Sequence, residues 1–171
     1  GVLATSQRFA LEAAEWAREK SEWKEIDGKI ENPISHLVSQ SHDFEIVSET
    51  GDVNKNSGEW HELTVSRPYI FHGSIGPAAA VAKWENERLT VWTHSQGVFQ
   101  LRDALAGVFE TAEENITVIH KAGSGCYGHN GADDAALDAA ILAREVEGIP
   151  VKVVWSRYDE FHAAPMGAAM S

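Results

Sequence analysis

Cysteine is nearly missing from this chain: Cys126 is the only one in 171 residues, so no disulfide can close within it. Positive charge is also scarce. Fourteen Lys and Arg face 26 Asp and Glu, for a net charge of −12. Neutralising phosphates takes a basic face, so a nucleic-acid partner is not expected, nor is an anionic membrane surface. No apolar run approaches the roughly 20 residues of a membrane-spanning helix, and the chain shows no signal-peptide pattern. The eight histidines include no pair with the His-Glu-x-x-His spacing of a zinc site. With 43% hydrophobic and 23% charged residues, what remains is an ordinary globular composition. The length suits one domain or one and a half. The cellular compartment is left open.

Glycine is concentrated where other features are thin. Gly123, Gly125, Gly128 and Gly131 fall in one stretch, Lys121-Ala-Gly-Ser-Gly-Cys-Tyr-Gly-His-Asn-Gly-Ala-Asp-Asp134. A β-branched run, residues 115–120, precedes it. An alanine-rich, helix-like run, residues 135–144, follows. The pattern is strand, glycine loop, helix. Such a loop brings backbone amides close to a guest, and the helix start that follows favours an anion. Three functional readings fit. In a P-loop, Gly123 and Gly128 have the right spacing, but His129 and Asn130 replace the Lys and the Ser/Thr that nucleotide hydrolysis needs. In a cysteine nucleophile, Cys126 would act with the nearby His129. In a cofactor cradle, the backbone itself does the binding. A structural turn around a buried Cys126 is the plain alternative.

Along the chain, Thr5 or Ser6 can cap a helix running to about Lys20. Phe9, Ala10, Ala13, Trp16 and Ala17 form its apolar stripe, expected to pack. Residues 32–39 suggest a short helix with Pro33 early in it. Residues 49–58 form a polar surface loop, and Trp60–Val65 a strand. Residues 78–84 and 88–93 form a hairpin around Glu85-Asn86-Glu87. Trp84 and Trp92 are expected to pack a sheet. A helix over 97–109 shows a face of Val98, Leu101, Leu105 and Val108, which puts Gln96 at a strand-to-helix junction. Glu110–Asn115 is an acidic turn. Strand 116–120, helix 132–146 and strand 151–155 complete an α/β (mixed α+β) layer. Asp133 and Asp134 suit the helix start. Arg157, Asp159 and Glu160 form a local ion-pair turn, and His72, His94 and His120 bond locally.

Four segments in order carry a resemblance: Pro68–Pro77, Leu89-Thr-Val-Trp-Thr-His-Ser-Gln96, the glycine loop, and Val151–Glu160. They resemble the molybdenum-binding subunits of the xanthine dehydrogenase/aldehyde oxidase family. The branch is that of the isoquinoline 1-oxidoreductase and nicotinate dehydrogenase large subunits. The resemblance implies a piece of a longer molybdenum hydroxylase subunit. Residues 1–58 would then be the end of a neighbouring domain and a linker, and 59–171 the N-terminal part of the first molybdopterin-binding domain. It also implies molybdopterin in its cytosine dinucleotide form, a heterocycle or aldehyde substrate, and iron–sulfur clusters on a partner subunit.

By the same resemblance, Gln96 matches the Gln that hydrogen-bonds an oxo ligand of molybdenum. Gly125, Cys126, Tyr127 and Gly128 match the cofactor loop, with His129 a candidate for cofactor phosphate or pterin. No residue here is expected to bind the metal directly. This chain departs from well-known members, with Cys126-Tyr127 where they carry Phe-Gly and His129-Asn130 where they carry Lys-Glu, so the substrate-side aromatic and nearby charge differ. The family's catalytic carboxylate has no counterpart here, and the isolated chain is expected to be inactive. A non-enzymatic anion-binding module and a Cys126-dependent hydrolase or transferase remain the alternatives.

Overall fold

The computed structural model describes residues 1–24, 28, 30–40, 43, 45–52, 58–59, 61–123, 125–128 and 134–170. Two compact units divide the chain: 1–24 with 71–166, and 25–70 with 167–171.

In the larger unit, a four-stranded sheet runs in the order β3-β2-β1-β4, with β1 Ala79–Glu85, β2 Arg88–Thr93, β3 Ile116–His120 and β4 Val151–Val154. β1 and β2 are the expected hairpin, in register from Ala80↔Thr93 to Glu85↔Arg88. Asn86 and Glu87 take φ of 51° and 61°, the left-handed pair that a tight hairpin turn requires. β2 pairs in parallel with β3, and β1 antiparallel with β4. β2, β3 and β4 therefore all end at one edge of the sheet, where β1 begins.

Alternation sends one side of every strand inward. Ala80, Ala82, Leu89, Val91, Ile116 and Val151 are buried on that face. Full burial of a Leu or Val side chain contributes about 1.5–3 kcal/mol. Two helices cover the face, one between β2 and β3 and one between β3 and β4. The second helix, Asp134–Arg144, presents Ala135, Ala136, Ala139, Ala140 and Ala143, each at most 1% exposed. Small side chains let it lie close on the sheet, as expected. Trp84 joins both helices to the sheet. Its indole N–H donates to Ala140 O at 2.9 Å, and its ring meets Phe109 edge-on. Trp92 lies on the other face.

In chain order the helices are α1 Gln7–Lys20, α2 Pro33–Ser39, α3 Val98–Phe109, α4 Asp134–Arg144 and α5 Arg157–Ala163. Three expectations need correction. First, α1 starts at its Ser6 cap, but none of its residues is buried, and Phe9 and Trp16 are 58% and 64% exposed. Second, the inner face of α3 is Leu101, Leu105, Ala106 and Phe109, while Val108 is exposed. The covered stripe is rotated because the partner surface, not spacing alone, decides which apolar residues are covered. Third, residues 61–65 form no strand, having no ladder partner among the described residues; Trp60 lies outside them. Arg67↔Met170 and Ile70↔Gly167 are isolated bridges in the smaller unit. The same unit contains α2, capped by Asn32, whose Oδ1 accepts from Ser35 N at 3.0 Å. Residues 49–52 and 58 are exposed loop, whereas 53–57 lie outside the described residues. Among the described residues, no helix is long and apolar enough to cross a membrane.

Candidate functional site at the carboxyl edge of the sheet

Open α/β sheets bind ligands beyond the carboxyl ends of their parallel strands. Here that edge collects the ends of β2, β3 and β4 and the segment entering β1. Local hydrogen bonds fix the backbone on either side of Gln96. Ser95 is fully buried; its N–H donates to Thr93 Oγ1 at 3.3 Å, and its Oγ accepts from Gly97 N at 3.2 Å. Its carbonyl lies 3.0 Å from His120 Nδ1, which donates in the tautomer protonated there. Gln96 itself is exposed. A pinned backbone with a free amide side chain is a suitable arrangement for hydrogen-bonding a guest.

The glycine loop leaves β3 at the same edge, tied back by Lys121 N donating to Thr93 O at 2.7 Å. Gly123 lies directly against the end of β2: a Cβ there would overlap the His94 Cβ. His94 is held in turn, its Nε2 accepting from Ala79 N at 3.2 Å. Gly125 and Gly128 have φ of 90° and 136°, conformations that side chains rarely adopt. A Cβ on Gly128 would lie 3.6 Å from His72 Cβ, and one on Gly125 3.1 Å from the Tyr127 ring. The loop therefore rests between His94, just after β2, and His72 of the segment entering β1. Cys126 and Tyr127 are exposed, contrary to the buried-cysteine alternative. His129, Asn130, Gly131 and Asp133 lie outside the described residues, as does the Asp134 side chain.

Arg157 and Glu160 form the expected local ion pair, at 2.7 Å. Two further features were not legible in the sequence. Glu160 is 1% exposed and accepts from Ala78 N at 2.8 Å, while Arg157 donates to Ser74 O at 2.7 Å and to Ile75 O at 3.1 Å. The α5 helix therefore clamps residues 74–78. Asp159 does act locally, completing a capping box with Ser156. The second feature is His72, whose Nδ1 is buried with no hydrogen-bond partner. The clamp on residues 74–78 and the unpaired His72 Nδ1 were not legible because they depend on segments remote in sequence.

Among the described residues, no three His, Cys, Asp or Glu side chains are grouped to hold a metal ion. The edge offers backbone amides, glycine-bounded space, one exposed amide and imidazoles. This defines an α/β domain whose sheet edge presents backbone and glycine-bounded space.

Comparison with known proteins is consistent with that class. The family profile of the molybdopterin cofactor-binding domain matches residues 38–171. A nicotinate dehydrogenase subunit from Pseudomonas putida KT2440 is 34% identical over 99% of this chain, which spans 14% of that protein. The aldehyde oxidoreductase molybdenum-binding subunit PaoC of Escherichia coli K12 is 34% identical over 56% of the chain and 13% of its own length. Quinoline 2-oxidoreductase from Pseudomonas putida 86 shares the fold over 56% of this chain and 12% of that one, with 24% identity and a TM-score of 0.51. The chain belongs to the molybdopterin cofactor-binding domain family, in the molybdenum hydroxylase large subunits of the xanthine dehydrogenase/aldehyde oxidase type.

Proposed function

We propose that the edge formed by Gln96 and the glycine loop holds one part of a molybdopterin cofactor, in its cytosine dinucleotide form. The observation that carries this is the cradle itself. Gly123 leaves no room for a side chain, and Gly125 and Gly128 hold left-handed turns beside it. The cradle suits a large polar group approached by backbone, and His72, whose Nδ1 is buried and unpaired, borders it at Gly128. When bound, the cofactor would supply the redox chemistry.

The chain's own residues would bind and orient. The Gln96 amide N–H donates a hydrogen bond to a cofactor oxygen without adding charge, because its backbone is fixed on both sides. Backbone N–H groups over Gly125–Gly128 do the same from the loop, and His129 is proposed as a contact to phosphate or pterin. The exposed Tyr127 ring offers a stacking face to a substrate.

The whole protein is proposed to be a longer large subunit that oxidises an N-heteroaromatic compound or an aldehyde with oxygen from water. Its electrons would pass to an iron–sulfur partner subunit. Residues 1–58 are assigned to the end of a neighbouring domain and a linker, and 59–171 to the first part of the cofactor domain. Turnover would need the catalytic base from the remainder of the subunit, so the isolated chain is expected to be inactive.

The test is Gln96→Ala in the full-length subunit purified with its partners. Oxidation of heterocycle or aldehyde should fall about tenfold or more, the scale of one lost transition-state hydrogen bond, with molybdenum retained. Unchanged kcat and KM would remove Gln96 from the site.

A further inference from the structure

We propose that His72 is a further cofactor-binding residue, donating or accepting one hydrogen bond through Nδ1 on the glycine-loop side of the site. The proposal rests on the reading of that edge as the cofactor site. Buried polar atoms in folded proteins are nearly always paired, because leaving one unpaired forfeits its hydration with nothing in return. His72 Nδ1 is buried and has no partner. On the same edge, His120 bonds Ser95 O through Nδ1 and His94 bonds Ala79 N through Nε2. His72 borders the loop, where a Cβ on Gly128 would come within 3.6 Å of the His72 Cβ.

The imidazole is also held for a purpose that its own bonding does not explain. Its ring packs on Phe71 at 4.6 Å between centroids, and Phe71 packs on Phe161 of α5 at 4.3 Å. The next residue, Gly73, turns the chain with φ of 58°. Beyond it, Arg157 and Glu160 clamp residues 74–78. A side chain fixed by packing, with one buried polar atom unpaired and its Cβ beside the glycine loop, is a preorganised binding group. A neutral imidazole suits the oxygen and nitrogen atoms of a pterin dinucleotide, donating or accepting according to tautomer.

The test uses the full-length subunit with its partners and compares wild type, His72→Leu and His72→Asn. Leu keeps the packing on Phe71 and removes the polar atom; Asn places a polar atom near the Nδ1 position. The readout is the half-life of bound cofactor, followed as pterin released after dilution, together with thermal unfolding of the cofactor-free protein. In His72→Leu the half-life should shorten about three- to tenfold, the worth of one net hydrogen bond. His72→Asn should recover most of that loss, and the cofactor-free midpoint of the Leu variant should be unchanged or higher. An unchanged half-life in His72→Leu overturns the proposal. So does an Asn variant that releases as fast as Leu, which would assign the loss to ring packing. Wild-type subunit free of molybdenum and pterin would instead overturn the reading of the whole edge; a loaded wild type with an indifferent Leu variant removes only His72.

Discussion

Gly123 and His94 are packed so closely that a side chain on Gly123 would overlap the histidine, with its Cβ 2.9 Å from the His94 Cγ and closer still to the Cβ. This contact ties the loop after β3 to the end of β2 and sets the floor of the proposed cofactor site. Gly123→Ala should therefore destabilise the fold by about 1–3 kcal/mol, the usual cost of overpacking. It should also lower cofactor content. Urea unfolding together with metal analysis checks this, and an alanine variant with wild-type stability and cofactor content would show that the loop does not need the contact.

The buried Glu160 carboxylate accepts from both Ala78 N and Arg157. Glu160→Ala leaves the Ala78 N–H and the Nη1 donor of Arg157 without their acceptor, and should cost about 1.5–3 kcal/mol. Glu160→Gln keeps an acceptor for Ala78 and should cost less. Equal losses in denaturant titrations of the two variants would mean that the charge, not the backbone bond, carries the effect.

Ala140 has no exposed surface, and its carbonyl accepts from Trp84. Ala140→Leu would force α4 away from the sheet, at about 1–3 kcal/mol, and weaken the Trp84 bond. A drop in the thermal midpoint accompanied by altered tryptophan fluorescence is expected. Unchanged fluorescence and stability would contradict the close helix–sheet packing.

On α1, Arg18 donates to Glu15 at 2.6 Å and 3.1 Å. That hydrogen bond first, and the Arg18 charge second, hold the Glu15 carboxyl below its ordinary range. For a depressed carboxylate, the stability due to the pair is fully present above the ordinary carboxylate pKa and is lost as pH falls through the lower, folded value. Both groups are open to solvent, so salt should weaken the effect. Arg18→Gln should raise the Glu15 midpoint towards that of an ordinary glutamate in an NMR titration. An unmoved midpoint would show that the pair does not persist in solution.

Much of this layer was legible in the sequence. The β1–β2 hairpin, the small face of α4 and the strand–loop–helix order around the glycines follow from local chemistry: turn residues, alanine spacing and β-branched runs. Elements whose fate depends on a partner were not legible. Phe9 and Trp16 have helical spacing but no covering surface in this structure. Val108 has the right period on the wrong side of α3. At the site, Gln96 and the loop could be picked out by resemblance, whereas His72 and Glu160 could not. Their importance lies in contacts made, or left open, with segments remote in sequence.

The central claim is that this sheet edge holds a molybdopterin cofactor. Molybdenum and pterin analysis of the full-length subunit, purified with its partners from cells able to make the cofactor, tests it most directly. The account predicts molybdenum and a pterin cytosine dinucleotide in stoichiometric amounts with the chain. Protein lacking both would contradict it, and would turn attention to an anion-binding role for the loop and to the exposed Cys126 thiol.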